Sequence, residues 1–398
     1  MATGKALDGK PYAGNPHVRF DEGEVAPATT PRRGSLLYNM TRKGFLLGTA
    51  ATAATVRVCA AEDIRGGLPA WANRQIDEAV ARYRAWKGAD ETVAFTFMTD
   101  LHSHLTAKAV PLDFSNARYH VLFAQAAADR AGCDFLVDGG DHDYDNGCRS
   151  DEEAFARMAV AESVYHDYTA RPVLFCLGNH DHGPFLGRKT RPISSARFGD
   201  TFNGLAERHG FKVVFGENRS WGYFDVPDKR FRAVFCNTSD GAYYGLSQGQ
   251  IDFVAKALSS MPPDWTAAVF GHFCVFSEIG HWKQYQRDCD AQGRSAFMAV
   301  LENFAKARPN ALAGYFCGDS HFDNEMELRG VNWTISQGYG GVNRANKPWG
   351  ARTVAFNRAQ EMLFELVAVK PAAGEFRLFR VGAGGAAFDR TCSYFNKL

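Results

Sequence analysis

Five short apolar, β-prone runs along this chain each end in a cluster of Asp, Asn or His, and this repeated juxtaposition restricts the fold more than any other feature. Val93–Met98 runs into Thr99, Asp100, Leu101 and His102, and Phe135–Val137 into Asp138, Gly139, Gly140 and Asp141. Val173–Leu177 leads to Gly178, Asn179, His180 and Asp181; Ala267–Phe270 to Gly271 and His272; Ala313–Cys317 to Gly318, Asp319, Ser320 and His321. Helical patterns lie between them: about Ser115 to Ala131, a segment opening on the capping box of Ser150 and Glu153, Ser247 to Leu258, and about Ala296 to Ala307. Strand and helix in alternation predict parallel pairing with right-handed crossovers. In open α/β sheets the sites form outside the carboxyl ends of the strands. One strand-end Asp or His is usually a turn or cap residue, whereas five in series form a constellation.

The flanks read more simply. Ile76, Ala79, Val80 and Tyr83, interleaved with Glu78 and Arg82, predict an amphipathic helix from Leu68 to Trp86, outside the main sheet. Trp221–Phe224 and Phe231–Cys236, on either side of Asp225 to Arg230, read as a β-hairpin. Beyond the last cluster, Trp333–Ser336, Arg352–Phe356, Met362–Val369 and Glu375–Val381 look like strands of a second sheet.

In order and type the five clusters resemble the D-x-H, G-D, G-N-H-[DE], H and G-H-x-H motifs of calcineurin-like metallophosphoesterases, over roughly Val93 to His321. The resemblance implies a four-layer α/β/β/α sandwich of two mixed sheets flanked by helices. It also implies two divalent metal ions, Mn, Fe or Zn with Mg as a further candidate. Asp100, His102, Asp141 and His321 would hold the first ion; Asp141 would bridge; Asn179 and His272 would hold the second. His180 would act as general acid on the leaving-group oxygen, with Asp181 orienting or charging it. A bridging carboxylate keeps two ions about 3.5–4 Å apart, so that they share a hydroxide nucleophile and neutralise the phosphoryl oxygens. Mixed oxygen and nitrogen donors suit Mn, Fe or Zn better than Ca or a thiolate site.

One position departs from the family pattern: Asp319 stands where histidine is usual. A carboxylate is a competent ligand, and Asp319 is expected to hold the second ion, favouring Mn, Fe or Mg over Zn. His104, His142, Asp143, Asp145 and His182 crowd the same region and are either substrate-facing, supporting the ligands, or solvated. Asn237 and Thr238 resemble a family segment and are read as structural. Tyr243, Tyr244, His281, Trp282 and Trp349 fall in predicted loops, where packing is the simplest role.

Composition excludes some functions. Lys plus Arg is 45 against Asp plus Glu 44, a formal net charge of +1, so there is no broad basic field for nucleic acid. A small-molecule phosphoester remains the expected partner, and oligomeric state is open. Nine cysteines form no C-x-x-C pair; Cys133, Cys176, Cys236, Cys274 and Cys317 sit in or beside apolar runs and read as buried small hydrophobes, while Cys148, Cys289 and Cys392 lie in polar stretches. Residues 1–39 are rich in Gly, Pro and charge and read as a disordered leader or upstream sequence. Residues 40–61 have a basic start, a short apolar stretch and the small residues Ala60 and Ala61, as an export signal has, and Thr41-Arg42-Lys43 resembles a twin-arginine motif with lysine in its second basic position. They imply a periplasmic or secreted protein, or a cytoplasmic one if the segment does not function. The segment is too short for a stable membrane span. Residues 62–90 then carry the N-terminal helix and 91–398 the catalytic domain.

Two other readings stay open on sequence alone. Asp100, His102 and His104 also resemble the H-x-H opening of barrel-shaped metal hydrolases acting on phosphoesters or amides, which would leave Gly178 to Asp181 unexplained. A metal- or phosphate-binding module without catalysis would have no use for His180.

Overall fold

The computed structural model describes residues 68–101, 117–142, 150–182, 193–208, 210–239, 245–273, 295–321, 323–336, 338 and 362–394. The leader and the export-like segment therefore lie outside the described residues, as does the strand expected at Arg352–Phe356.

Thirteen strands are described: β1 (Val93–Met98), β2 (Phe135–Asp138), β3 (Val173–Phe175), β4 (Val213–Phe215), β5 (Gly222–Val226), β6 (Phe231–Phe235), β7 (Thr266–Phe270), β8 (Leu312–Cys317), β9 (Asn324–Leu328), β10 (Val331–Ile335), β11 (Leu363–Lys370), β12 (Glu375–Gly382) and β13 (Arg390–Ser393). They form two mixed sheets, ordered β13-β12-β11-β1-β2-β3 and β4-β5-β6-β7-β8-β10-β9. β1, β2 and β3 pair in parallel, as do β6, β7, β8 and β10. The helix-separated strands thus pair in parallel within each sheet as expected, and the barrel alternative is overturned, since both sheets are open.

The apolar runs are continuous because both faces of each sheet are covered. On β1, Ala94 and Met98 face the helices Ala70–Lys87 and Ala117–Ala131, while Val93, Phe95 and Phe97 face the other sheet. The inter-sheet layer is largely aromatic: Phe95 stacks on Phe135 at 4.9 Å and meets Phe270 edge-on at 5.2 Å, and Phe270 stacks on Phe316 at 5.5 Å. Helices Gln248–Ser259 and Ala296–Ala307 cover the far face of the seven-stranded sheet through residues such as Val254, Leu258, Phe297 and Leu301. The result is the four-layer α/β/β/α sandwich.

The C-terminal strands require a correction. β10 joins the seven-stranded sheet together with β9, whereas β11, β12 and β13 complete the first sheet instead of building the second. β2 covers one edge of β1 and leaves the other unpaired, and β11 closes that edge antiparallel, with Phe95 opposite Val367. β12 and β13 then extend it. Glu365 on β11 sits opposite Arg380 on β12, and the Arg380 Nε donates to Glu365 Oε1 at 2.8 Å. Arg380 Nη2 reaches Asp323 Oδ1 at 2.6 Å and Arg390 Nη2 reaches Glu365 Oε1 at 3.0 Å, so a buried ion network ties β11, β12 and β13 to the chain just past β8. Among the described residues no helix is long and apolar enough to cross a membrane.

Candidate metal centre

Parallel strands β1, β2 and β3 and their counterparts β7 and β8 end side by side, which brings the polar clusters together across the two sheets. Asp100, Asp141 and His272 offer ligand atoms that all lie within 4.8 Å of one another, and all three are buried. The backbone bends sharply to present them: Asp100, Asp141, Asp319 and His321 take φ of 54°, 58°, 63° and 55°. Non-glycine residues avoid this left-handed region, and such strain collects where function requires a side chain to be aimed.

Asp100 is held on three sides. Its N–H donates to the Gly140 carbonyl at 2.8 Å, and its Oδ2 accepts from the Thr99 hydroxyl at 2.8 Å and from the Asp319 N–H at 3.0 Å. Its Oδ1 faces His321 Nε2 at 3.1 Å. Burial pushes this carboxyl up, but the neighbouring His321 more than offsets it and holds the group below its ordinary range. Gly318 is required here, because a Cβ would collide with Thr99 Oγ1 and Asp100 Oδ2.

One nitrogen of His272 is committed to backbone. Its Nδ1 lies 2.8 Å from the Gly139 carbonyl, which can only accept, so Nδ1 carries a proton and Nε2 is the nitrogen left to face the donor cluster. Around that Nε2 lie Asn179 Oδ1 at 3.1 Å, Asp141 Oδ1 at 3.3 Å and Asp319 Oδ1 at 3.8 Å. Three oxygens thus lie within 3.8 Å of this nitrogen. Metal–ligand bonds of about 2.1 Å place neighbouring donors about 3.0–3.5 Å apart, a spacing that Asn179 and Asp141 meet and that Asp319 approaches. Burial acts to lower the His272 ring, but Asp141, Asp100 and Asp319 raise it well above the ordinary histidine value. Asp319 Oδ2 is buried with no hydrogen-bond partner, and burial together with the nearby carboxylates pushes its carboxyl up to about 7. An orphaned buried carboxylate oxygen beside these donors fits a cation site, which would supply its missing partner.

The structure brings together Asp100, Asp141, Asn179, His272, Asp319 and His321. His102 lies outside the described residues, with His104, Asp143 and Asp145. His180 sits at the mouth: its ring is 25% exposed, its Nε2 is 4.0 Å from Asp141 Oδ2, and its N–H donates to Asp141 Oδ1 at 2.9 Å. Asp181, expected to orient His180, is engaged elsewhere: its carboxylate accepts from the N–H groups of Gly178 at 2.8 Å, Asp141 at 3.0 Å and His142 at 2.7 Å. These three bonds hold the loop. Gly178 lets the two loops touch, since a Cβ there would collide with Asp141 Oδ1 and the Asp141 nitrogen.

Of the crowding histidines, His182 places its ring nitrogens on the carbonyls of Ile193 and Ser239, at 2.9 and 3.2 Å, which is a supporting role. His142 is buried between Asp138 and Asp181. Burial acts to lower its ring, but the two carboxylates outweigh that and push it up to about 10. Asn237 and Thr238 are structural in their contacts: Asn237 Nδ2 donates to Ser195 and Ser220, and Thr238 Oγ1 accepts from the Phe273 N–H at 3.0 Å, fixing the residue after His272. Sequence reasoning missed Thr99 and Tyr315. Tyr315 donates from within β8 to the Phe273 carbonyl at 2.6 Å. Neither carries a motif; their only signal is a polar atom on an otherwise apolar strand or at its end.

Comparison with known proteins identifies a family over the residues that carry these clusters. The profile of the calcineurin-like phosphoesterases matches residues 93–323. A dimetal phosphatase from Danio rerio has a similar fold, with 11% identity, a TM-score of 0.51, and 76% of this chain and 99% of that chain covered. A purple acid phosphatase from yellow lupin (Lupinus luteus) seeds is also similar, at 15% identity and a TM-score of 0.47 over 78% of this chain and 55% of that one. No curated protein matches the chain.

Proposed function

The chain belongs to the calcineurin-like phosphoesterase family and is a metal-dependent phosphoester hydrolase, and we propose that it works with two divalent ions on a small-molecule phosphoester. The observation that carries this reading is the convergence of Asn179 Oδ1, Asp141 Oδ1 and Asp319 Oδ1 on Nε2 of His272. Asp100, His102 and His321 would hold the first ion, Asn179, His272 and Asp319 the second, with Asp141 shared. When bound, the ions supply charge neutralisation for the phosphoryl oxygens and a nucleophile at neutral pH.

The chain's own residues do the rest. Asp141 would be the shared ligand, since ligand atoms of Asp100, Asp141 and His272 all lie within 4.8 Å of one another. His272 turns Nε2 inward because the Gly139 carbonyl holds its other nitrogen. His180, partly exposed at the mouth and tied through its N–H to Asp141, is placed to donate a proton to the departing oxygen. Asp319 adds a second negative oxygen to the His272 side, which suits Mn, Fe or Mg.

The test is a screen of phosphomonoesters and phosphodiesters with Mn, Fe, Zn and Mg, each against a chelated control. Hydrolysis of at least one class that vanishes in chelator and returns with metal supports the reading; metal-independent turnover contradicts it. We further propose export through residues 40–61, for which mass spectrometry of the protein from its host would show a mature chain beginning just after Ala60 or Ala61.

A further inference from the structure

The loops that carry Asp141 and Asn179 are joined from behind by His142, a residue for which the metal chemistry has no direct use. Its ring lies between two carboxylates, with Nε2 3.1 Å from Asp138 Oδ2 and Nδ1 3.1 Å from Asp181 Oδ2, and its side chain is 2% exposed. One face stacks on Phe202 at 5.3 Å and 12°, and Tyr165, Phe175 and Phe198 close around it. In such a dry setting the two pairings are strong, and losing one would leave a costly buried charge.

Each carboxylate in turn holds backbone. Asp181 accepts from the N–H groups of Gly178, Asp141 and His142, so it spans both loops. Asp138 accepts from the Gly140 N–H at 3.0 Å and from the Tyr165 hydroxyl. Asp141 itself holds φ at 58°, a conformation its own residue type resists and its surroundings must impose. A ring that merely filled space against Phe202 would need neither nitrogen paired, and a phenylalanine would serve that role without drawing two carboxylates into the core.

We propose that His142 is a positioning residue for the metal bridge: by pairing with Asp138 and Asp181 at once, it sets the separation of the 138–142 and 178–181 loops and hence the place of Asp141 relative to Asn179 and His180. The inference rests on the reading of Asp141 as the shared ligand. It assigns Asp181 to the loop clamp and gives Asp138, at the end of β2, a matching part on the other side.

The test is Mn²⁺ binding to the full chain, followed by calorimetry and by electron paramagnetic resonance, for wild type, His142→Gln and Asp138→Asn. All are measured at a temperature where circular dichroism shows them folded. Wild type should bind two Mn²⁺ with an exchange-coupled spectrum. His142→Gln should lose the coupling and bind about 10–100-fold more weakly, the usual effect of removing a residue that orients a ligand. Asp138→Asn keeps the Asp181 pair and should weaken binding by about 3–10-fold. If His142→Gln does not fold, Asp138→Asn decides by the same criterion. Affinity and coupled spectrum unchanged in the folded variants would overturn the inference and leave the metal reading standing. Failure of wild type to bind two Mn²⁺ would overturn both.

Discussion

His272 Nε2 lies 3.3 Å from Asp141 Oδ1 while its Nδ1 is committed to the Gly139 carbonyl, so the strand end of β7 aims this nitrogen at a carboxylate from the loop after β2. Two electron-pair donors facing each other repel unless a proton or a cation lies between them. Asp141→Asn removes the charge that both ions would share. It should therefore lose bound metal and turnover together, read by elemental analysis and a phosphoester assay on the same sample. An Asp141→Asn protein with full metal content would show that the carboxylate is no bridge.

His180 should behave differently. Its ring is partly exposed and lies 4.0 Å from Asp141 Oδ2, near the donor set without being part of it. His180→Asn is expected to keep its metal while turnover falls by about 10²–10⁴-fold. The loss should be large for an alkyl phosphoester and small for a nitrophenyl one, because nitrophenolate leaves without needing a proton. Equal losses on both substrates, or loss of metal, would assign His180 another role.

Asp319→His should change which metal is preferred. The wild-type donor set around His272 Nε2 is three oxygens and one imidazole nitrogen, two of the oxygens from carboxylates. Replacing one carboxylate by imidazole should raise Zn²⁺ affinity relative to Mn²⁺ by about tenfold. Competition between the two ions, read by elemental analysis after dialysis, measures the ratio. An unchanged ratio would mean that Asp319 does not ligate.

The sheet-joining ion network makes a prediction about stability. Arg380 is fully buried and carries contacts to Glu365 and Asp323, and the Glu365 carboxyl is raised by burial despite Arg380 and Arg390 beside it. Arg380→Met would leave Glu365 facing Arg390 alone, and breaking a buried pair from one side costs about 3–5 kcal/mol. Glu365→Gln keeps an acceptor and should cost less. Urea unfolding followed by circular dichroism gives both values, and a loss below about 1 kcal/mol for Arg380→Met would show the network to be energetically slack.

The sequence exposed the strand ends clearly because two independent signals coincide there: a run apolar on both faces, then a polar residue that burial would forbid unless it had a partner. Asp100, Asp141, Asn179, His272, Asp319 and His321 lie in those clusters, and their expected parts as ligands came from the resemblance of the clusters to the family motifs. Sheet membership was less visible. β11 and β12 are as apolar as strands of either sheet, and which edge they close depends on a pairing of Val367 with Phe95 across more than half the chain. The role of Asp181 was hidden for another reason. A motif says which residue follows His180, but only the bend of the loop shows that its carboxylate meets the N–H groups of Gly178, Asp141 and His142. His142 was noticed as one of several crowding histidines; its two carboxylates come from segments 4 and 39 residues away, a contact no local pattern encodes.

The central claim is that the chain hydrolyses phosphoesters through a pair of metal ions held around Asp141. Its most direct test is a titration of chelator-treated protein with Mn²⁺, in which bound metal and the rate of phosphoester hydrolysis are measured at every point. The account predicts binding that saturates at two ions per chain and a rate that rises as the second ion binds. A metal-free protein that already turns over at the full rate would contradict it.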